Sequence, residues 1–117
     1  MYHSDKELSQ HIFDEIAFLE NEVKHTTKTE FLADARSQRA FARSIEIIGE
    51  AVKNLSPALV QRYPEVEWRS VAGMRDKLIH GYFSVNYHLV WDVAENEITV
   101  FRHQLQKIMA ENKEIFR

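Results

Sequence analysis

Arg75, Asp76, His80 and Tyr82 all fall within the stretch RDKLIHGY. Histidine near its ordinary pKa takes or gives a proton at neutral pH, and arginine grips a phosphate through parallel N–H donors. RNA carries its own nucleophile, the 2′-hydroxyl. A base for that hydroxyl and a cation for the crowded phosphorane are therefore a sufficient set for cleaving it, with no metal. A plainer reading also fits. An Arg/Asp/His group at a helix end caps the last turn and forms solvated ion pairs, and Tyr82 is then a half-buried amphipathic ring. Pattern alone leaves both open.

Spacing sharpens the problem. On an ideal helix, residues five apart, such as Arg75 and His80, stand about 140° apart around the axis and share no face. They converge only where the helix loosens, and Gly81, a natural C-cap, predicts such a place. Asp76 is the more geometric partner of His80. At i, i+4 the two stack on one face, where the carboxylate and the helix C-terminus both favour the charged imidazole.

Around this group stand further charges. Arg36, Arg39 and Arg43 step by three and four into a basic stripe, which either guides an RNA backbone or is a solvated helix face. Lys77, inside the motif, is a fourth candidate for RNA contact. Glu46 and Glu50 are one turn apart and either reach the motif helix or a partner, or are surface charges; neither is assigned catalysis. His88 and His103 show no metal-ligand spacing. Trp68 and Trp91 are expected as core or interface anchors, with the interface favoured for Trp91 because it follows the motif so closely.

The elements that must position these residues read as helices. Ser4 and Glu7 have capping-box spacing, and Leu8, Ile12, Ile16, Leu19 and Val23 form one apolar stripe after them. The polar run from Lys24 to Thr29 ends that helix, with Thr29 the expected N-cap of the next. Phe41, Ile45, Ile48, Val52 and Leu55 step four-three-four-three, the seam of a helix bundle. Gly49 interrupts them at a cost of about 1 kcal/mol relative to alanine, which predicts a close helix approach there. Ser56-Pro57 starts a short helix that Tyr63-Pro64 closes. A helix is expected from Trp68 to Ile79 with Val71, Met74 and Leu78 inward. Another begins near Asn86 and carries Val90, Ala94, Ile98, Phe101, Leu105 and Ile108. The expectation is an all-α up-and-down bundle of four long helices plus a short one, in a single domain over residues 1–117.

Composition excludes several alternatives. Three glycines and two prolines in 117 residues are too few turn signals for a β-sandwich or barrel. The absence of cysteine removes disulfides and thiolate metal sites. Neither a signal peptide nor an apolar run of about 18 residues is visible, so a soluble, cytoplasmic chain is expected. A net charge of −3 tells against a broadly basic nucleic-acid-binding face, though not against a small basic cleft. Nothing in the pattern calls for a cofactor.

The pattern R-x4-H-x-Y, here Arg75, His80 and Tyr82, resembles the motif of the HepT toxins, a branch of the HEPN superfamily. IEIIGEAVKNLSP (Ile45 to Pro57) and HGYFSVNYHLVWDVAENEI (His80 to Ile98) are similar to that family's segments in the same order. The resemblance covers most of the chain and is weakest ahead of Phe41. It implies a helical bundle that dimerises so that two motifs line a shared cleft, acting as a metal-independent endoribonuclease. It implies that Arg75 stabilises the phosphate, that His80 is the acid/base, and that Asp76 fills the polar position after the arginine. It also implies a partner, an MntA-like nucleotidyltransferase antitoxin that transfers AMP from ATP to Tyr82. An added AMP puts anionic phosphate where RNA phosphate must bind. The implied partners are thus RNA, the antitoxin and a second copy, with no membrane and with a higher assembly left open. A reading of another class also stands. A non-catalytic helical binding protein would serve as AMP acceptor for a nucleotidyltransferase, with Arg75 and His80 handling the ATP phosphates or the acceptor hydroxyl.

Overall fold

The computed structural model describes residues 3–80 and 84–116, with the backbone alone at Ile79 and His80. Helix α1 (Asp5–His25) begins as its capping box requires, with Ser4 Oγ accepting from the Glu7 N–H at 3.1 Å. Leu8, Ile12, Ile16 and Leu19 are buried and Val23 is partly so. The next cap comes earlier than expected. Thr27, not Thr29, accepts from the Glu30 N–H at 3.1 Å and opens α2 (Lys28–Leu32). Thr27-x-x-Glu30 is itself a capping-box spacing, and it places Thr29 inside the helix. Asp34 then caps α3 (Ala35–Lys53), taking the Arg36 N–H at 3.0 Å and the Ser37 hydroxyl at 2.8 Å.

Helices α1 and α3 run antiparallel. Ser44 donates to Glu15 at 2.7 Å and Phe41 meets Phe18 edge-on at 6.4 Å. At the far end Ser56 donates to Asp5 through its N–H at 2.8 Å and its hydroxyl at 2.6 Å. Between them the α3 stripe is buried as read, Phe41 through Leu55. Each such side chain contributes roughly 1.5–3 kcal/mol on leaving water. Ser56 also caps α4 (Pro57–Arg62), where Pro57 stands in the first turn.

The C-terminal rod comprises α7 (Tyr87–Asp92), a π turn (Val93–Glu97) and α8 (Ile98–Glu111). The Ile98 N–H reaches back to the Val93 carbonyl, five residues away. Val90, Ala94 and Ile98 step by four twice, which drifts around an ordinary helix; the wider turn keeps all three inward and buried. Glu20 of α1 accepts from Thr99 and from Arg102 Nε, both at 2.9 Å, clasping α8 to α1. Trp91 is core and not an exposed interface anchor. It is 4% exposed, with Phe31 at 5.4 Å and Phe41 stacked at 6.2 Å. Trp68 is buried too, with its indole N–H on the Tyr63 carbonyl at 2.9 Å.

The helix expected from Trp68 to Ile79 is broken. Its pieces are α5 (Trp68–Ala72) and α6 (Met74–Leu78), divided at Gly73, whose N–H closes the first on the Arg69 carbonyl at 3.0 Å. Glycine is a poor helix former, and each half buries its own anchors: Trp68 in one, Met74 and Leu78 in the other. Val71, expected inward, is only partly buried. After Leu78 the chain extends as β1 (Ile79–His80), paired antiparallel with β2 (Ser84–Val85), His80 opposite Ser84. Among the described residues the architecture is therefore three long helical rods and four short helices with a two-residue ribbon, still an all-α protein. Gly49 meets its expectation. A Cβ there would lie 3.1 Å from the Ala72 carbonyl oxygen, so α3 and the end of α5 touch backbone to helix.

Candidate functional site

Helix α6 is pinned by Met74 and Leu78, one turn apart and both buried, which turns Arg75, Asp76 and Lys77 outward. Arg75 donates from Nε to Glu46 of α3 at 2.8 Å and from a terminal nitrogen to Asp76 at 3.3 Å. The other oxygen of Glu46 accepts from Arg43, three residues earlier on α3. One carboxylate thus joins the basic stripe to the motif arginine. Arg43 first, and Arg75 second, hold the Glu46 carboxyl below its usual range. Glu46, and then Asp76, raise the already basic Arg75 further. The Arg75 side chain remains about half exposed, at 47%.

Of the two acidic candidates on α3, Glu46 reaches the motif helix, while Glu50 lies 3.5 Å from Lys53 on the outside. The contact with the motif helix that the sequence held open for both is thus made by Glu46, with Arg43 as its second partner. Arg36 and Arg39 are exposed further up α3 and belong to the same stripe.

The helical pairing expected between Asp76 and His80 loses its basis. Helix α6 stops at Leu78, so no i, i+4 register extends to His80, and Asp76 turns to Arg75 instead. The 140° separation of Arg75 from His80 lapses for the same reason, since His80 lies on an extended segment. The His80 side chain, Gly81 as a cap and Tyr82 as AMP acceptor lie outside the described residues.

Beside α6, Lys77 and Arg69 line a groove of about 530 Å³ whose other wall carries Leu89, Asp92, Glu97 and Val100. Leu89 and Val100 are large apolar residues left exposed there, the latter at 58%. Among the described residues no group of three or more His, Asp or Glu side chains is placed to hold a metal ion, and no helix is long and apolar enough to cross a membrane.

The fold and the cluster define an all-α protein that presents an arginine-rich, carboxylate-ordered patch beside a short motif helix. The family model described as "Ribonuclease HepT-like" matches residues 12–108, and the chain belongs to that family. A protein of Caldanaerobacter subterraneus subsp. tengcongensis named "Putative RNase" is 44% identical over 104 residues, 89% of this chain and 93% of its own. Another of that name from Methanocaldococcus jannaschii is 45% identical over 83 residues, 71% of this chain and 69% of its own. "Probable ribonuclease HepT" of Thermococcus cleftensis is 35% identical over 108 residues, 92% of this chain and 98% of its own. No solved structure matches the chain significantly.

Proposed function

We propose that this chain is the RNA-cleaving toxin of a toxin–antitoxin pair. It acts as a metal-independent endoribonuclease, as a homodimer, and is neutralised when an MntA-like nucleotidyltransferase transfers AMP to Tyr82. The observation that carries the reading is Arg75: a half-exposed guanidinium on a pinned helix, inside the matched family span and five residues before His80. In the reaction, His80 takes the proton of the 2′-hydroxyl. The 2′-oxygen bonds to phosphorus, and the bond to the 5′-oxygen breaks as that oxygen gains a proton from the protonated histidine. Arg75 balances the negative charge that builds on the phosphorane. Arg36, Arg39, Arg43 and Lys77 offer the RNA backbone further cations.

A second copy is favoured by the groove beside α6. It sets Arg69 and Lys77 on one wall and Asp92 and Glu97 on the other, around exposed Leu89 and Val100. Apolar centre, charged rim and both signs on one surface suit a self-complementary two-fold contact.

One observation favours the non-catalytic reading. Two carboxylates already engage Arg75, so an RNA phosphate must compete for it. Cleavage of labelled total RNA in EDTA by the purified protein, beside His80→Ala, separates the two. Cleavage by the wild type alone is expected. Intact RNA in both lanes, with the protein folded and gaining the mass of an AMP at Tyr82 from ATP and the nucleotidyltransferase, would establish the acceptor role instead.

A further inference from the structure

We propose that Glu46 is a positioning residue for this ribonuclease, fixing which edge of Arg75 meets the scissile phosphate. The inference rests on the ribonuclease reading and adds to it a residue outside the motif. Arginine has five N–H donors in one plane, and its Nε and terminal-nitrogen edges can each grip an oxyanion. Here the Nε edge is turned to Glu46 at 2.8 Å. That leaves the edge formed by the two terminal nitrogens for a phosphate, with one N–H shared with Asp76 at 3.3 Å.

Glu46 can hold this aim because it is itself held. Arg43 takes its other oxygen, so the carboxylate has little freedom to rotate. The backbone closes the same arrangement from below. Gly49, one turn along α3, lets the Ala72 carbonyl approach so closely that a Cβ would sit 3.1 Å away. Helix α6 follows one residue later, and Arg75 comes within reach of Glu46. An arginine free to swing would spend much of its time outside the geometry that stabilises a phosphorane, and small misplacements of a clamp are costly in rate. The pair is only partly buried and adds little to stability, so its main consequence is where Arg75 points.

The test uses initial rates of cleavage of labelled total RNA by the full chain, at limiting and at saturating RNA. Glu46→Ala is expected to lower the rate about ten- to a hundredfold, mostly at saturation, with thermal unfolding nearly unchanged. Glu46→Gln keeps an acceptor for the Arg75 N–H and should recover most of that loss. In an Arg75→Lys background, which has no Nε–H to hold, Glu46→Ala should slow the reaction no further. Wild-type or faster cleavage by Glu46→Ala overturns the proposal, as does an undiminished loss in the lysine background. Failure of the underlying reading looks different: the wild type leaves RNA intact, or Arg75→Ala cleaves as well as wild type.

Discussion

Gly49 and Gly73 interrupt two stretches that bury apolar residues at the same helical spacing, and the outcomes differ. Around Gly49 the helix continues unbroken from Ala35 to Lys53; around Gly73 it stops, restarts and runs on into an extended ribbon. The difference lies in what surrounds each glycine. Gly49 has two turns of buried residues before it and one turn after it, from Phe41 to Val52, in a helix that packs on α1, α5 and α6. Gly73 has only five-residue helices on either side, each anchored separately. Periodicity says which side of a segment faces inward. It does not say that the axis continues, which depends on how much burial lies beyond a weak point. The two stretches also meet in space, since Gly49 abuts the Ala72 carbonyl, one residue ahead of Gly73. A rigid rod and a jointed segment touch there, and Glu46 and Arg75 bridge them.

If α3 is the frame and the jointed segment the working part, damage to each should register differently. The largest effect is expected on the working side. His80→Ala should reduce RNA cleavage by about 10²–10⁴-fold, the usual contribution of a positioned acid/base, with the melting curve unmoved. Equal cleavage by the variant would remove His80 from the chemistry. On the frame, Ile48 is fully buried, and Ile48→Ala should destabilise the fold by about 2–5 kcal/mol in denaturant unfolding. A loss below about 1 kcal/mol there would mean that α3 is not the frame and would collapse the contrast.

The frame was the legible part. Leu8 to Leu19, Phe41 to Leu55 and Val90 to Ile108 are buried as their spacing predicts, because burial of one face is what holds a helix in place. The cap at Ser4 and the helix start at Ser56-Pro57 read correctly because both signals are local. Thr29 did not, because three threonines precede Glu30 and only Thr27 stands at the capping-box spacing from it. The joint at Gly73 was hidden by Val71, Met74 and Leu78, whose three- and four-residue steps run straight through it. Trp91 was drawn toward an interface by its neighbours in sequence, whereas its neighbours in space are Phe31 and Phe41. The link from Glu46 to Arg75 joins residues 29 apart, and no local spacing encodes a contact of that range.

The meeting point of the two regions can be strained directly. Gly49→Val adds a branched side chain where even a Cβ sits 3.1 Å from a backbone oxygen that cannot rotate away. Overpacking of this kind is expected to destabilise by about 1–3 kcal/mol. It should also push α5 and α6 off α3, lengthening the reach from Glu46 to Arg75. RNA cleavage by the protein still folded should therefore fall as well, unlike that of Ile48→Ala measured under the same folding conditions. Full activity per folded molecule in Gly49→Val would show that the approach of the backbones is not what sets the Arg75 contact.

The smallest expected effect tests the bridge as a charge pair. Glu46 titrates below the ordinary glutamate value of 4.5 because Arg43 and then Arg75 favour its ionised form. A carboxyl depressed on folding contributes stability that is present above its unfolded pKa and is lost as pH falls through the folded one. The difference in Tm between wild type and Glu46→Gln should therefore be present at neutral pH and close as pH drops below 4.5. Arg75 is half exposed and Glu46 only partly buried, so that difference should stay under about 5 °C for a chain of this size. Added salt should shrink it at neutral pH, since exposed charges are screened. A Tm difference that survives unchanged at about pH 3 would instead trace to the shape of the side chain. The bridge between frame and working part would then be one of packing and hydrogen bonding, with ionisation of Glu46 incidental to it.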